Sequence, residues 1–197
     1  MNLNKFILIV LFVLALIGGY LFFSQYIGLV AVNEVVKQDW ADLDAQLRSR
    51  SFLIPDLISA VRECAPEEED VFTGIADAGS KLDAASTPAA KAEADEALTD
   101  ALGRLLVIAA SCPELNTDEN FIRLQVELAD AERRIAAASR KYNENVEIYN
   151  ICTDGFFIAG HIGYVPREKF EPPRPSAETH GEAEHGEAEH GEAEAGE

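Results

Sequence analysis

The sequence predicts an all-α protein: an N-terminal transmembrane helix, a long antiparallel helical bundle and a disordered acidic C-terminal tail. Three observations carry this. An uncharged run opens the chain, apolar residues then recur at alternating steps of three and four, and a five-residue polar repeat closes it. No segment alternates with the period of two that marks a strand. The corresponding units are 1–24, 25–171 and 172–197.

The eighteen residues from Phe6 to Phe23 (FILIVLFVLALIGGYLFF) carry no charge, and only Lys5 precedes them. As a helix the run measures about 27 Å, close to the hydrocarbon thickness of a bilayer. A cleaved secretory signal has a shorter apolar core and ends at small residues, whereas this run ends in Tyr20-Leu21-Phe22-Phe23. An uncleaved anchor is therefore expected, with Tyr20 and Tyr26 suited to the aromatic belt. Lys5 and the amino terminus face only Lys37 on the other side, beside Glu34 and Asp39. The positive-inside rule tips toward a cytoplasmic N-terminus and a large domain outside.

From Leu29 a heptad seam runs through Val32, Val36, Trp40, Leu43, Leu47, Ile54, Leu57 and Val61. Pro55 lies inside it and should kink the helix or start a new segment after Ile54, because proline removes a backbone donor and crowds the preceding turn. A second helix is expected to open at Pro66-Glu67-Glu68-Glu69-Asp70 and to bury Val71 or Phe72, Ile75, Ala78 and Leu82. Ser86-Thr87-Pro88 reads as the start of a third, facing inward through Ala94, Ala97, Leu98, Ala101, Leu105 and Ile108. Thr117 reads as the cap of the fourth and longest. Its seam is Phe121, Leu124, Leu128, Ala131, Ile135, Ala138, Tyr142, Val146 and Tyr149. The lengths imply that the first helix rises from the membrane, the second and third form a hairpin on its distal part, and the fourth descends. The apolar segment from Ile151 to Val165, with Phe156, Phe157, Ile158, Ile162 and Tyr164, then either caps the lower end of the bundle, the preferred reading, or touches the bilayer.

Acidic residues outnumber basic ones 35 to 16, which makes binding to a phosphate backbone improbable and favours a basic partner surface. The excess is concentrated in Pro66 to Glu119, with 13 acidic and 3 basic residues, and in the tail from Pro172, with 8 and 1. Cys64, Cys112 and Cys152 are too few and too far apart for a disulfide framework or a zinc site. They read as small apolar fillers at helix ends, with one disulfide outside the cytoplasm as the lesser alternative. In the tail, His-Gly-Glu-Ala-Glu recurs from His180, His185 and His190. Such a segment buries too little apolar surface to order itself, and spacing of five does not bring imidazoles to one helical face.

Two stretches resemble the LemA family of bacterial membrane proteins. In VNEVVKQDWADLDAQLRSRSFLIPDL the residues Trp40, Asp44, Gln46, Leu47, Arg48, Arg50, Ile54, Pro55 and Leu57 fall where that family has its Trp-x-x-x-Asp-x-Gln-Leu run leading into Leu-Ile-Pro-x-Leu. In PELNTDENFIRLQVELADAERRIAAASRKYNENVEIYN the match includes Asn120, Phe121, Gln125, Glu127, Glu132, Arg134, Tyr142, Asn143, Tyr149 and Asn150. Cys112, Arg133 and Ser139 depart from the pattern, and after Asn150 Ile151-Cys152-Thr153-Asp154 is a shortened substitute for the usual Phe-Pro, whereas IAGHIGYVPREKFE, ending at Glu171, again resembles the family ending and the tail has no counterpart. The resemblance implies a single N-terminal anchor and a long antiparallel bundle. It carries no established activity, although some relatives are linked to building bacterial membrane compartments. Arg48 and Arg50 are expected to pair with Glu127 or Glu132, and Tyr142 and Asn143 to be packed and hydrogen-bonded.

No catalytic, cofactor-binding or metal-binding residues are expected. His161 sits in a glycine-rich segment with no positioned acid or nucleophile near it, and the carboxylates from Glu67 to Asp70 are accounted for by a helix start. The chain reads as a single-pass protein of the bacterial cell membrane. It is expected to act as a scaffold or adaptor that contacts the bilayer through its N-terminal helix and holds protein partners, a second copy of itself among the options. A lipid-interacting protein that shapes a membrane compartment is the alternative.

Overall fold

The structure, a computed structural model, describes residues 3–155, 160 and 163–171. The tail with His180, His185 and His190 lies outside the described residues, as do Phe156, Phe157, Ile158, His161 and Ile162. The described residues form five α-helices and no strand: α1 Leu3–Ser51, α2 Ile54–Cys64, α3 Glu69–Ala84, α4 Pro88–Ala110 and α5 Glu119–Gly155.

The 49 residues of α1 make a rod about 74 Å long with two chemically distinct halves. In the lower half, side chains from Ile7 to Phe23 stand exposed although they are apolar, and the first buried residue is Leu29. That lower run has a mean hydropathy of 2.7 over eighteen residues and is long and apolar enough to cross a membrane. In the upper half Leu29, Val36, Leu43 and Leu47 are buried, with Val32 and Trp40 packed against them, as the three-four rhythm requires. The helix breaks at Phe52 and Leu53 because Pro55 occupies the first turn of α2, the one helical position where a missing amide costs nothing. The seam resumes in α2 with Ile54, Leu57 and Val61.

Pro66 to Glu68 form a turn and α3 begins at Glu69, which leaves Glu69 and Asp70 in its first turn and buries Phe72 rather than Val71. At the start of α4 the Thr87 hydroxyl accepts from the Ala90 amide at 3.2 Å. The inward face of α4 differs from the expected one. Ala94, Leu98 and Leu105 are buried and Ala101 and Ile108 pack half-buried against the core, but Leu102 and Ala109 are buried more deeply than these two, and Ala97 is exposed. Lys91 and Asp95 share that buried face, so a seam traced through apolar residues alone is rotated. Thr117 belongs to a short 3-10 turn, Leu115–Thr117, and the cap of α5 is Asp118, whose carboxylate accepts from the Asn120 amide at 2.8 Å.

Trp40 meets Tyr142, Asp39 meets Lys141 and Asn145, Gln46 meets Arg134, and Arg50 meets Glu132, so α1 and α5 run antiparallel in a single register. The α3/α4 hairpin covers only the upper half of this pair. Its lower end is marked by the ion pair of Lys91 with Asp44, and its upper end by Cys112, next to Cys64 at the end of α2. Cys64 and Cys112 are joined in a disulfide with their Cα atoms 6.3 Å apart, whereas Cys152 is free. The filler reading of the first two is thereby overturned: α2 and α4 run parallel, so their C-terminal ends meet at the distal tip. Below Asp44 the molecule is a two-helix stem. Along that stem residues 163–171 run back as an extended strap, turned by Gly163 in the left-handed region at φ 88°, which glycine adopts without steric cost.

Candidate functional site

Polar residues recur every five or six positions on the inward face of α1, and each meets a different part of the chain. Asn33 accepts from Arg167 of the strap at 2.9 Å. Asp39, which is 2% exposed, receives Lys141 at 2.8 Å and the Asn145 side-chain amide at 2.6 Å, both from α5. Asp44 pairs with Lys91 of α4 at 2.6 Å and with Arg48 of its own helix at 2.9 Å. The buried ammonium of Lys91 also donates to the Leu82 carbonyl at 3.3 Å, which closes the base of the hairpin.

Arg50, with no exposed surface, is the centre of the fourth cluster. Its Nη1 donates to Thr99 Oγ1 at 3.2 Å and Glu132 Oε1 at 2.8 Å, and its Nη2 to the buried Asp95 carboxylate. One guanidinium thus staples α1, α4 and α5 at the point where α1 ends. Its planar fork suits this three-way role, which a lysine point charge does not fill. The expected pairing of Arg50 with Glu132 is present. Arg48 instead pairs with Asp44 one turn earlier, and Glu127 with Arg123.

Burial drives the Asp95 carboxyl up; the Arg50 charge opposes this and the Glu132 charge adds to it, and the result is a group above its ordinary range. For Asp44, burial also pulls upward, but hydrogen bonds and charges from Lys91 and Arg48 outweigh it and hold the carboxyl low. The hydrogen bond and charge of Asp39 raise Lys141.

The strap is held by a repeated device. Asn143 donates to the Phe170 carbonyl at 2.6 Å and accepts from its amide at 2.8 Å. Asn150 does the same for Arg167, donating at 2.9 Å and accepting at 2.8 Å. Seven residues of helix advance about 10.5 Å and three residues of extended chain about 10 Å, so two asparagines on one helical face match strap residues three apart. Tyr142 adds a bond from its hydroxyl to the Glu168 carbonyl at 2.9 Å, Arg167 lies over the Tyr149 ring, and Phe170 is fully buried. Tyr164, at the lower end, packs against the core beside Tyr26. Tyr142 and Asn143 are packed and hydrogen-bonded as expected, but their partner is a segment that has no periodicity to announce it.

Among the described residues no three potential metal ligands gather. Fold and clusters define a class: a helical-bundle protein whose longest helix continues past the described part of the bundle as an exposed apolar rod. The model of the LemA family matches residues 39–181, nearly three quarters of the chain, and the chain belongs to the LemA family. No curated protein matches it. The matched region ends ten residues beyond Glu171, so it takes in the beginning of the segment first read as tail without counterpart. Trp40, Asp44, Arg50, Tyr142, Asn143 and Asn150, on which the resemblance rests, are the residues that fix the register of α1, α4, α5 and the strap.

Proposed function

We propose that this chain is a single-pass, membrane-tethered helical scaffold or adaptor that holds protein partners at the bacterial cell membrane, and that it catalyses no reaction. The observation that carries the reading is the continuity of α1. The exposed apolar run and the core seam belong to one helix with no linker between them, so a span inserted in the bilayer would hold the bundle upright. The disulfide supports placing the bundle on the non-cytoplasmic side, since such bonds persist in oxidising compartments. This agrees with the charge balance around the span. Proximity labelling with the enzyme fused after Glu197 tests the adaptor role: a defined set of protein neighbours supports it, and a set no different from bulk membrane protein rejects it.

A second reading, a protein that organises lipid, is favoured by the foot of the stem. There Ile27, Val35, Ile148, Ile151 and Val165 are exposed although aliphatic. If these side chains enter the interfacial layer, the bundle will bind vesicles even without residues 1–24.

A further inference from the structure

Consecutive helices in a bundle of this kind pack directly against each other, yet α2 and α3, joined by a short turn, leave an open groove of about 670 Å³ between them. Its floor is apolar, with Ile54 and Ile58 from α2 and Ile75 from α3. Its walls are low because Ser59, Ala76 and Gly79 stand there; a Cβ added at Gly79 would meet nothing within 4 Å. The lining residues of α2 run from Ile54 to Glu63, and these residues span about 15 Å of helix axis, so the groove takes roughly three turns of a helix laid along it.

Charge selects the occupant. From Ile54 to Ala84 the chain carries Asp56, Glu63, Glu67, Glu68, Glu69, Asp70, Asp77 and Asp83 against only Arg62 and Lys81. Arg62 is engaged already, with Glu69 at 3.2 Å and the Phe72 ring 4.7 Å below. Glu63, at the end of α2, and Asp83, at the end of α3, mark opposite ends of the groove. The acidic tail is repelled by such a rim, as is any anionic surface.

We propose that the α2/α3 groove is the seat of a short amphipathic helix from a protein partner, about three turns long, with small aliphatic side chains on its inner face and lysine or arginine at both ends. This deepens the adaptor reading and rests on it. The helix lays its apolar face on Ile54, Ile58 and Ile75, as in other helix-in-groove recognition, while Glu63 and Asp83 fix its position along the groove.

The test uses the full chain in phosphatidylcholine nanodiscs and a labelled synthetic peptide of about fourteen residues, roughly four helical turns, with an alanine and leucine face and lysines at both ends. A matched peptide has glutamate for lysine, and empty nanodiscs give the background. Fluorescence anisotropy should show that the lysine peptide binds and the glutamate peptide does not. Gly79→Trp, which fills the groove, and the pair Glu63→Lys with Asp83→Lys should each weaken binding at least about tenfold, equal to ~1.4 kcal/mol. Ala137→Trp, on the exposed side of α5, should leave it unchanged. Melting curves show whether each variant is folded, and the charge pair keeps the test open if Gly79→Trp is not. Equal binding by both folded groove variants overturns the proposal. So does a Gly79→Trp chain that loses self-association in sedimentation, because the occupant is then a second copy. If the peptide is inert while proximity labelling still returns a defined neighbour set, the groove proposal falls and the adaptor reading stands. If labelling returns only bulk membrane protein, the adaptor reading falls whatever the peptide does.

Discussion

Replacing Arg50 by methionine removes the only cation from a buried carboxylate. Asp95 has 1% of its side chain exposed and no other positive partner among the described residues, whereas Glu132, at 38%, retains contact with water. Breaking one side of such a buried pair typically costs about 3–5 kcal/mol, and for a domain of this size each kcal/mol moves the melting temperature by roughly 2–4 °C. Arg50→Met should therefore lower Tm by on the order of 10 °C. Combining it with Asp95→Leu should recover most of the loss, because two apolar groups of similar volume leave no uncompensated charge and the native cluster is imperfectly paired, with Arg50 Nε and Asp95 Oδ2 both buried without a partner. The pH dependence has a definite sign. Asp95 titrates above its ordinary value of 3.8, and without Arg50 it should rise further. A carboxyl with a raised folded value favours the fold below pH 3.8 and loses that contribution as pH rises through the folded value. Acidification from pH 7 toward 4 should thus narrow the gap between Arg50→Met and the parent chain. Thermal unfolding followed by circular dichroism, on the parent, single and double variants, measures all three quantities. A single variant within ~1 kcal/mol of the parent, or a double variant worse than the single, would refute the view that Arg50 exists to neutralise Asp95.

Three more outcomes follow from the packing. Ile135 is 2% exposed on the α5 seam, so Ile135→Asp should cost several kcal/mol, while Ala137→Asp on the exposed face should be mild; equal losses in Tm would show a misplaced buried face. Reducing the Cys64–Cys112 bridge, or changing both cysteines to serine, should cost about 2–4 kcal/mol in urea unfolding, and a Cys152→Ser chain should respond to reductant as the parent does. Phe170→Ala should cost about 3–5 kcal/mol if the strap is integral to the stem, and hydrogen exchange at the Arg167 amide should accelerate in Asn150→Ala; an unchanged melting curve would mean that the strap is dispensable.

The helices were legible because each presents an apolar face at helical spacing. The nine-position seam of α5 and the break at Pro55 needed nothing beyond that rule. The buried polar residues were less so. A binary pattern assigns Lys91, Asp95 and Asp39 to solvent, and only partners from other helices let them be buried: Lys141 and Asn145 of α5 for Asp39, Arg50 of α1 for Asp95, and Asp44 of α1 with the Leu82 carbonyl of α3 for Lys91. Arg50 was legible in part, through its likeness to the family pattern, but Thr99 and Asp95 carried no such signal. The strap lies within IAGHIGYVPREKFE, which resembles the family ending, but its extended course along the stem was not legible, because a segment held by side-chain amides needs no hydrophobic period; the spacing of Asn143 and Asn150, two turns apart, was the available clue. Cys64 and Cys112 lie 48 residues apart, and their meeting depends on the parallel course of α2 and α4, which no local feature encodes.

Flotation of two chains with phosphatidylcholine vesicles addresses the tether directly. One chain is full length and the other begins at Gln25. The full chain should float, and the shortened one should stay in the soluble fraction with the strong helical dichroism of a folded bundle. A shortened chain that still rises with the vesicles would contradict this, placing the membrane contact at the foot of the stem around Ile27, Ile148, Ile151 and Val165 instead of in the apolar half of α1.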